Sequence, residues 1–150
     1  MRKLLTSGNL THISSRSLFG LFGGSKIPEV TFTVFAEGQA SQKHLVKAKE
    51  GANLMDTLND SSIKDISVFG ICDKQLACLS CRINISKSCY PKLAKITEDE
   101  QDVLDELGAL LKPGQTRMSC QLKVSKEMEG CEIEIPRTAF GLYEKLTKDD

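Results

Sequence analysis

Residues 69–81 read Phe-Gly-Ile-Cys-Asp-Lys-Gln-Leu-Ala-Cys-Leu-Ser-Cys and hold three of the six cysteines of this 150-residue chain. The stretch has neither the two-residue period of a strand nor the 3.6-residue period of a helix, so it is predicted to be a loop. One buried thiol would be ordinary, because cysteine is among the residue types most often found in protein interiors. Three thiols in one aperiodic loop are not explained in that way, and they indicate a functional loop.

The spacing of the thiols discriminates between the groups that they could bind. Cys72, Cys78 and Cys81 are followed by Cys120 after a gap of 38 residues. Structural zinc sites typically use two Cys-x2-Cys pairs, whereas the second half of this chain supplies only isolated cysteines. Ferredoxins gather three iron ligands from one loop and a fourth from far along the chain, and the plant type has one residue fewer between its first two ligands. An iron–sulfur cluster is therefore favoured over zinc, disulfides and inert buried thiols.

Hydrophobic periodicity outside this loop predicts an α+β fold. Residues 30–36 alternate with a period of two, as a half-buried strand does. Asn53 can cap a short helix over residues 53–59, and residues 97–100 form a capping box that opens a second helix. Further strands are predicted at residues 44–48, 82–85, 118–124 and 131–135. Together these elements predict one mixed sheet with a helix across it.

Composition and charge exclude several functional classes. The 20 Lys and Arg balance the 20 Asp and Glu, so overall charge does not drive binding to nucleic acid. No apolar run approaches the ~18 residues of a membrane span. The two histidines, His12 and His44, adjoin no candidate nucleophile, and the sequence has no glycine-rich nucleotide motif. We therefore expect an electron-transfer protein rather than an enzyme, with any nicotinamide cofactor bound by a partner.

Charge is distributed unevenly along the chain. Residues 1–26 carry four basic residues, five Ser and two Thr but no acid, and this composition is typical of a mitochondrial-type transit peptide. The remaining residues carry 16 Lys and Arg against 20 Asp and Glu, a formal charge of −4. The predicted organisation is a transit peptide at 1–26, one domain at 27–137 and a polar C-terminal tail at 138–150. A mitochondrial address implies reduced thiols, which argues against structural disulfides.

The run of residues 69–81 resembles the cluster loop of adrenodoxin-type mitochondrial ferredoxins. The resemblance continues through Leu-Ala-Lys-Ile-Thr-Glu-Asp-Glu at residues 93–100 and Arg-Met-Ser-Cys-Gln at residues 117–121, and it reaches Ile135-Pro136. It covers about residues 30–136 and implies a β-grasp ferredoxin fold with one 2Fe-2S cluster. By the family motif, the cluster ligands would be Cys72, Cys78, Cys81 and Cys120.

The resemblance also implies a role and partners. Members of this family are one-electron carriers of the mitochondrial matrix, or of a mitochondrion-derived organelle, and receive electrons from an NADPH-dependent ferredoxin reductase, a flavoprotein. We expect a monomer that passes electrons to the iron–sulfur cluster assembly machinery. The alternatives are an electron donor to a haem monooxygenase or haem-modifying enzyme, or a fixed cluster subunit of a larger redox enzyme.

Four positions depart from the family pattern. Lys74 stands where the family usually has Gly, which implies either a different turn or a strained backbone at that residue. Arg82 stands where adrenodoxin has His. Cys89 and Cys131 match no family ligand, so Cys131 is expected to be a thiol of the core and Cys89 a small buried hydrophobe, with a spare reactive thiol as the alternative for Cys89.

The helix that begins at Thr97 is strongly acidic. Part of this run would form an outward stripe in which like charges repel at i,i+4 spacing, and acids occupy the last turn, where the helix dipole disfavours them. A solvated face would usually mix in Lys, so we predict a surface that docks the basic surfaces of partners, as the resemblance also implies. The predicted docking residues are Glu98, Asp99, Glu100, Asp102, Asp105 and Glu106.

Overall fold

The computed structural model describes residues 26–68 and 70–137. The predicted tail, the predicted transit peptide apart from Lys26, and Phe69 lie outside the described residues. No helix in the described ranges is long and apolar enough to cross a membrane.

Five strands form one mixed sheet in the order β2-β1-β5-β3-β4. Strand β1 pairs antiparallel with β2 and parallel with β5, while β3 lies antiparallel to both β5 and β4. The bounds are Glu29–Ala36 for β1, His44–Lys49 for β2, Arg82–Ile85 for β3, Thr116–Met118 for β4 and Glu132–Ile135 for β5. The mixed sheet confirms the predicted fold class.

The core lies on one face of this sheet, under helix α1 (Leu54–Asp60). The alternation in β1 buries Phe32 and Val34 completely, and α1 turns Leu54 and Leu58 toward them. Full burial of one such side chain stabilises the fold by about 1.5–3 kcal/mol. Asn53 caps α1 as predicted, because its side-chain oxygen accepts a hydrogen bond from the backbone N–H of Asp56.

Helix α2 spans Glu98–Asp105 and begins as the capping box predicts. The hydroxyl of Thr97 accepts a hydrogen bond from the backbone N–H of Glu100 at 3.2 Å. Leu104 and Leu107 are buried, so this side of the α2 segment packs on the core. Single 3₁₀ turns connect the other elements, at Lys64–Ile66, Tyr90–Lys92, Gly108–Leu110, Ser119–Gln121 and Lys126–Met128.

The predicted strand at residues 118–124 is wrong beyond its first residue, Met118. Strand β4 ends at Met118, and the chain then turns through Ser119–Gln121. Buried Leu122 and Val124 keep the alternation that suggested a strand. Their backbone instead follows the N-terminal end of α1, where Leu54 N–H donates to the carbonyl of Leu122.

The structure also corrects the prediction for the two remaining cysteines. Cys89 and Cys131 were predicted to be separate buried thiols, and both are buried, but they form a disulfide with their Cα atoms 5.9 Å apart. The expectation that the domain has no structural disulfide is therefore wrong. They are 42 residues apart in sequence and flank different elements, so only the folded sheet brings them together.

Candidate cluster site

Four free thiols lie where the loop of residues 70–81 meets the turn after β4. Cys72 and Cys78 are partly exposed, whereas Cys81 and Cys120 are buried. Ser119 joins the two segments, because its backbone N–H and its hydroxyl both donate to the carbonyl of Cys81, at 3.0 and 2.7 Å. All four predicted ligand residues therefore reach the same region of the molecule.

The thiols are arranged as two pairs. The sulfur atoms of Cys72 and Cys78 lie 3.3 Å apart in the outer pair. Cys81 and Cys120 form the inner pair, whose thiols share a hydrogen bond. Over residues 26–68 and 70–137, no three His, Cys, Asp or Glu side chains are grouped as ligands of a single metal ion.

Each pair contains one thiol that ionises readily. Burial raises the pKa of Cys78, but hydrogen bonds with Ser80 and Cys72 outweigh it and lower the pKa to about 7. The hydrogen bond with Cys81 lowers the pKa of Cys120 to about 6, against burial and with help from Gln121. That same hydrogen bond, followed by burial, raises the pKa of Cys81. Because the thiolate is the form that binds metal, each pair offers one thiol that readily becomes a metal ligand.

The backbone of the loop is strained between the first two thiols. Asp73, Lys74 and Leu76 have φ of +51°, +66° and +54°, in the left-handed region that favours glycine. The strained conformation that was one of two expectations for Lys74 is therefore observed. Such residues persist where surrounding contacts hold them, often at functional sites.

Two amide side chains bind the backbone of the loop and of the segment of Cys120. Asn53 donates its side-chain N–H to the carbonyl of Cys120 at 2.8 Å. Gln121 Nε2 lies 3.2 Å from the carbonyl oxygen of Lys74 and 3.6 Å from Cys120 Sγ. Sequence analysis identified Asn53 only as a helix cap, since nothing local in the sequence places it beside Cys120.

Arg82, which directly follows the loop, begins β3 and is only 5 % exposed. Burial lowers the pKa of its guanidinium, while the charge of Glu37 opposes this. The family's His at this position is thus replaced by a buried cation.

The acidic helix presents most of the predicted docking residues to solvent. Five of the six are exposed, namely Glu98, Asp99, Asp102, Asp105 and Glu106. The prediction that Glu100 docks a partner is wrong, because Glu100 is 1 % exposed and its carboxylate binds Arg117 inside the protein. The first turn of α2 points Glu100 inward, toward β4, so it cannot contact a partner.

Comparison with known proteins identifies the family. No protein-family model matches the chain. Sheep adrenodoxin is 33 % identical over 100 residues, which are 67 % of this chain and 76 % of adrenodoxin. This chain belongs to the adrenodoxin family of 2Fe-2S ferredoxins. A 2Fe-2S ferredoxin of Rickettsia conorii is 29 % identical over 110 residues, covering 73 % of this chain and 90 % of the bacterial one.

Solved structures agree on the fold of this ferredoxin. A ferredoxin from Rhodopseudomonas palustris matches with a TM-score of 0.61 at 25 % identity, over 73 % of this chain and 96 % of its own. An ISC-like 2Fe-2S ferredoxin from Pseudomonas putida matches with a TM-score of 0.55 at 30 % identity, over 73 % and 93 %. Putidaredoxin in its complex with putidaredoxin reductase has a TM-score of 0.57 at 23 % identity, over 69 % and 96 %, which shows the fold alone.

The four thiols fit the cofactor of this family. The protein is an electron carrier with one 2Fe-2S cluster, and it is not an enzyme. A bound cluster would supply a one-electron couple, and four cysteine thiolates would hold its two irons. Four unbridged cysteines in two neighbouring pairs match that donor set in number and in chemistry.

Proposed function

We propose that Cys72, Cys78, Cys81 and Cys120 hold the cluster, with the outer pair on one iron and the inner pair on the other. The pairing of the sulfurs carries this proposal, because a binuclear cluster needs two thiolates at each of two irons. The exposed side of the cluster would then lie at Cys72 and Cys78, where an electron can enter and leave.

We propose further that an NADPH-dependent flavoprotein reductase reduces the cluster, and that the iron–sulfur cluster assembly machinery receives the electron. The family resemblance supports the reductase, as does the complex that putidaredoxin forms with its own reductase. The likeness to an ISC-like ferredoxin supports the assembly role. The basic, acid-free residues 1–26 and the mitochondrial adrenodoxins among the relatives support a location in the mitochondrial matrix. We expect the protein to act there as a monomer.

The five exposed acids of the α2 segment would dock these partners. They form a negative surface on a domain that already carries a net negative charge. Complementary charge speeds encounter between partners more than it tightens their complex, which suits a shuttle that must release its partner.

The role is tested by reconstitution. A scaffold protein, a cysteine desulfurase, iron, cysteine, NADPH and the reductase are combined with and without this ferredoxin, and cluster formation is followed by visible absorbance. We expect synthesis to depend on the ferredoxin and to stop with its Cys120→Ser variant. Equal synthesis without the ferredoxin would refute the assembly role, and efficient reduction of a haem monooxygenase in a parallel assay would favour the alternative acceptor.

A further inference from the structure

Lys74 reaches out of the strained loop to helix α1. Its ammonium Nζ lies 2.5 Å from Oδ2 of Asp56 in the first turn of that helix. Both side chains are partly exposed, at 37 % and 47 %. This ion pair is a direct side-chain link between α1 and the segment that separates Cys72 from Cys78.

The link opposes the strain of the loop. A left-handed backbone is unfavourable for a residue with a side chain, and three residues between 73 and 76 adopt it. Lys74 is held at two points, since its carbonyl accepts from Gln121 while its ammonium binds Asp56. The backbone contact ties the loop to the segment of Cys120, and the ion pair ties it to α1.

The start of α1 therefore contacts both parts of the site. Asn53 holds the carbonyl of Cys120, and Asp56, three residues later, holds Lys74. One rigid turn of helix thus positions the distal thiol and the loop relative to each other.

The pair also places two opposite charges beside the loop that carries Cys72 and Cys78. Four thiolates and two sulfides against two ferric ions give a formal charge of −2, which becomes −3 on reduction. A nearby cation favours the reduced state and a nearby anion disfavours it, because the added electron interacts with both. In the intact pair these two effects oppose each other.

We propose that the Lys74–Asp56 ion pair positions the cluster loop and balances the charge beside it, and this inference rests on the proposed ligand set. Joined, the two side chains hold the strained loop against α1 and leave the potential nearly unperturbed. When one partner is removed, the charge that remains shifts the reduction potential. Lys74 alone makes the potential more positive, and Asp56 alone makes it more negative.

Three variants of the holoprotein test this: Lys74→Met, Asp56→Asn and the double variant. Spectroelectrochemical titration should give a more negative potential for Lys74→Met, a more positive one for Asp56→Asn, and a value near wild type for the double variant. Lys47→Met, at an exposed lysine of the edge strand β2, is the matched control and should leave the potential unchanged. Equal potentials in all variants, or shifts of the same sign in both single variants, would overturn the charge-balancing role.

A second measurement separates strain from charge. Cluster loss in the presence of an iron chelator should be about two- to fivefold faster in Lys74→Met, the range that an exposed ion pair supports. Lys74→Gly removes the same charge but adopts the left-handed backbone freely, so it should lose the cluster more slowly than Lys74→Met. Equal loss rates in wild type and Lys74→Met would refute the positioning role.

The two proposals fail in different ways. A wild-type protein that binds no 2Fe-2S cluster would defeat the proposed ligand set, since no potential could be measured. A wild-type cluster whose potential and loss rate ignore Lys74 and Asp56 would defeat this inference alone.

Discussion

Arg117 and Glu100 form a two-point ion pair inside the protein. Arg117 Nε and Nη2 lie 2.9 Å from the two carboxylate oxygens of Glu100, and the side chains are 3 % and 1 % exposed. The backbone N–H of Met118 donates to the same carboxylate, and Arg117 Nη1 donates to the carbonyl of Ala94. The pair therefore joins the acidic helix to the strand that leads to Cys120.

Removing Glu100 should destabilise the fold strongly. Glu100→Gln leaves the buried charge of Arg117 without a counter-ion, which costs about 3–5 kcal/mol in the free energy of unfolding. Urea titration followed by circular dichroism measures this. Asp99→Asn changes an exposed acid of the same turn and should cost less than about 0.5 kcal/mol. Comparable losses from the two variants would contradict the inward role of Glu100.

The four proposed ligands should differ from the other two cysteines in their effect on the cluster. Replacing Cys72, Cys78, Cys81 or Cys120 by Ser should lower iron and sulfide below two of each per chain, because hard oxygen ligands replace thiolates poorly at this centre. The Cys89→Ser and Cys131→Ser proteins should keep the full content and the electron-spin signal of a reduced 2Fe-2S centre. Cluster loss from either of these last two, without loss of the fold, would contradict the assignment.

The disulfide should contribute to stability independently of the cluster. Cross-links that close loops of this length typically add about 2–4 kcal/mol, chiefly by restricting the unfolded chain. Urea unfolding of wild type and of Cys89→Ser/Cys131→Ser should show this difference, and intact mass should show two hydrogens fewer in the untreated wild type. If reductant leaves the midpoint of wild type unchanged, the disulfide does not form in solution.

Ionisation of the thiols should be visible before the cluster is assembled. In cluster-free protein, the alkylation rate of Cys78 should rise with pH around a midpoint of about 7, because its hydrogen bonds favour the thiolate. Buried Cys81, with its raised pKa, should stay unmodified across the same range. Mass spectrometry of digested samples reports each site, and a midpoint for Cys78 near the ordinary value of 9.0 would contradict the hydrogen-bonded geometry.

Charge reversal on the acidic helix should affect partners and leave the cluster intact. Asp102→Lys/Asp105→Lys should slow reduction by the reductase at low ionic strength and flatten its salt dependence, because steering between opposite charges is lost. The visible spectrum should not change. Asp60→Lys reverses an exposed acid on α1 and should leave reduction kinetics as in wild type. Unaltered kinetics in the double variant would make the acidic surface a merely solvated one.

Local sequence signals predicted much of the secondary structure of this protein. The two caps, Asn53 and Thr97, act within a few residues and were predictable, as was the alternation of β1. The features that sequence analysis missed depend on contacts between distant segments. In the sequence, Glu100 cannot be distinguished from the other acids of the charged run, because its partner Arg117 lies on β4. Cys89 contacts Cys131 only in the folded sheet.

The cystine has a further consequence for the covalent topology of this ferredoxin. It closes a macrocycle from Cys89 to Cys131 that contains the acidic helix, β4 and Cys120. A protease that cuts the exposed turn at Pro113-Gly114 would therefore open the macrocycle without releasing a fragment. The acidic helix and Cys120 would stay tethered to the same molecule, so a single backbone nick would not separate the proposed docking surface from the proposed distal ligand.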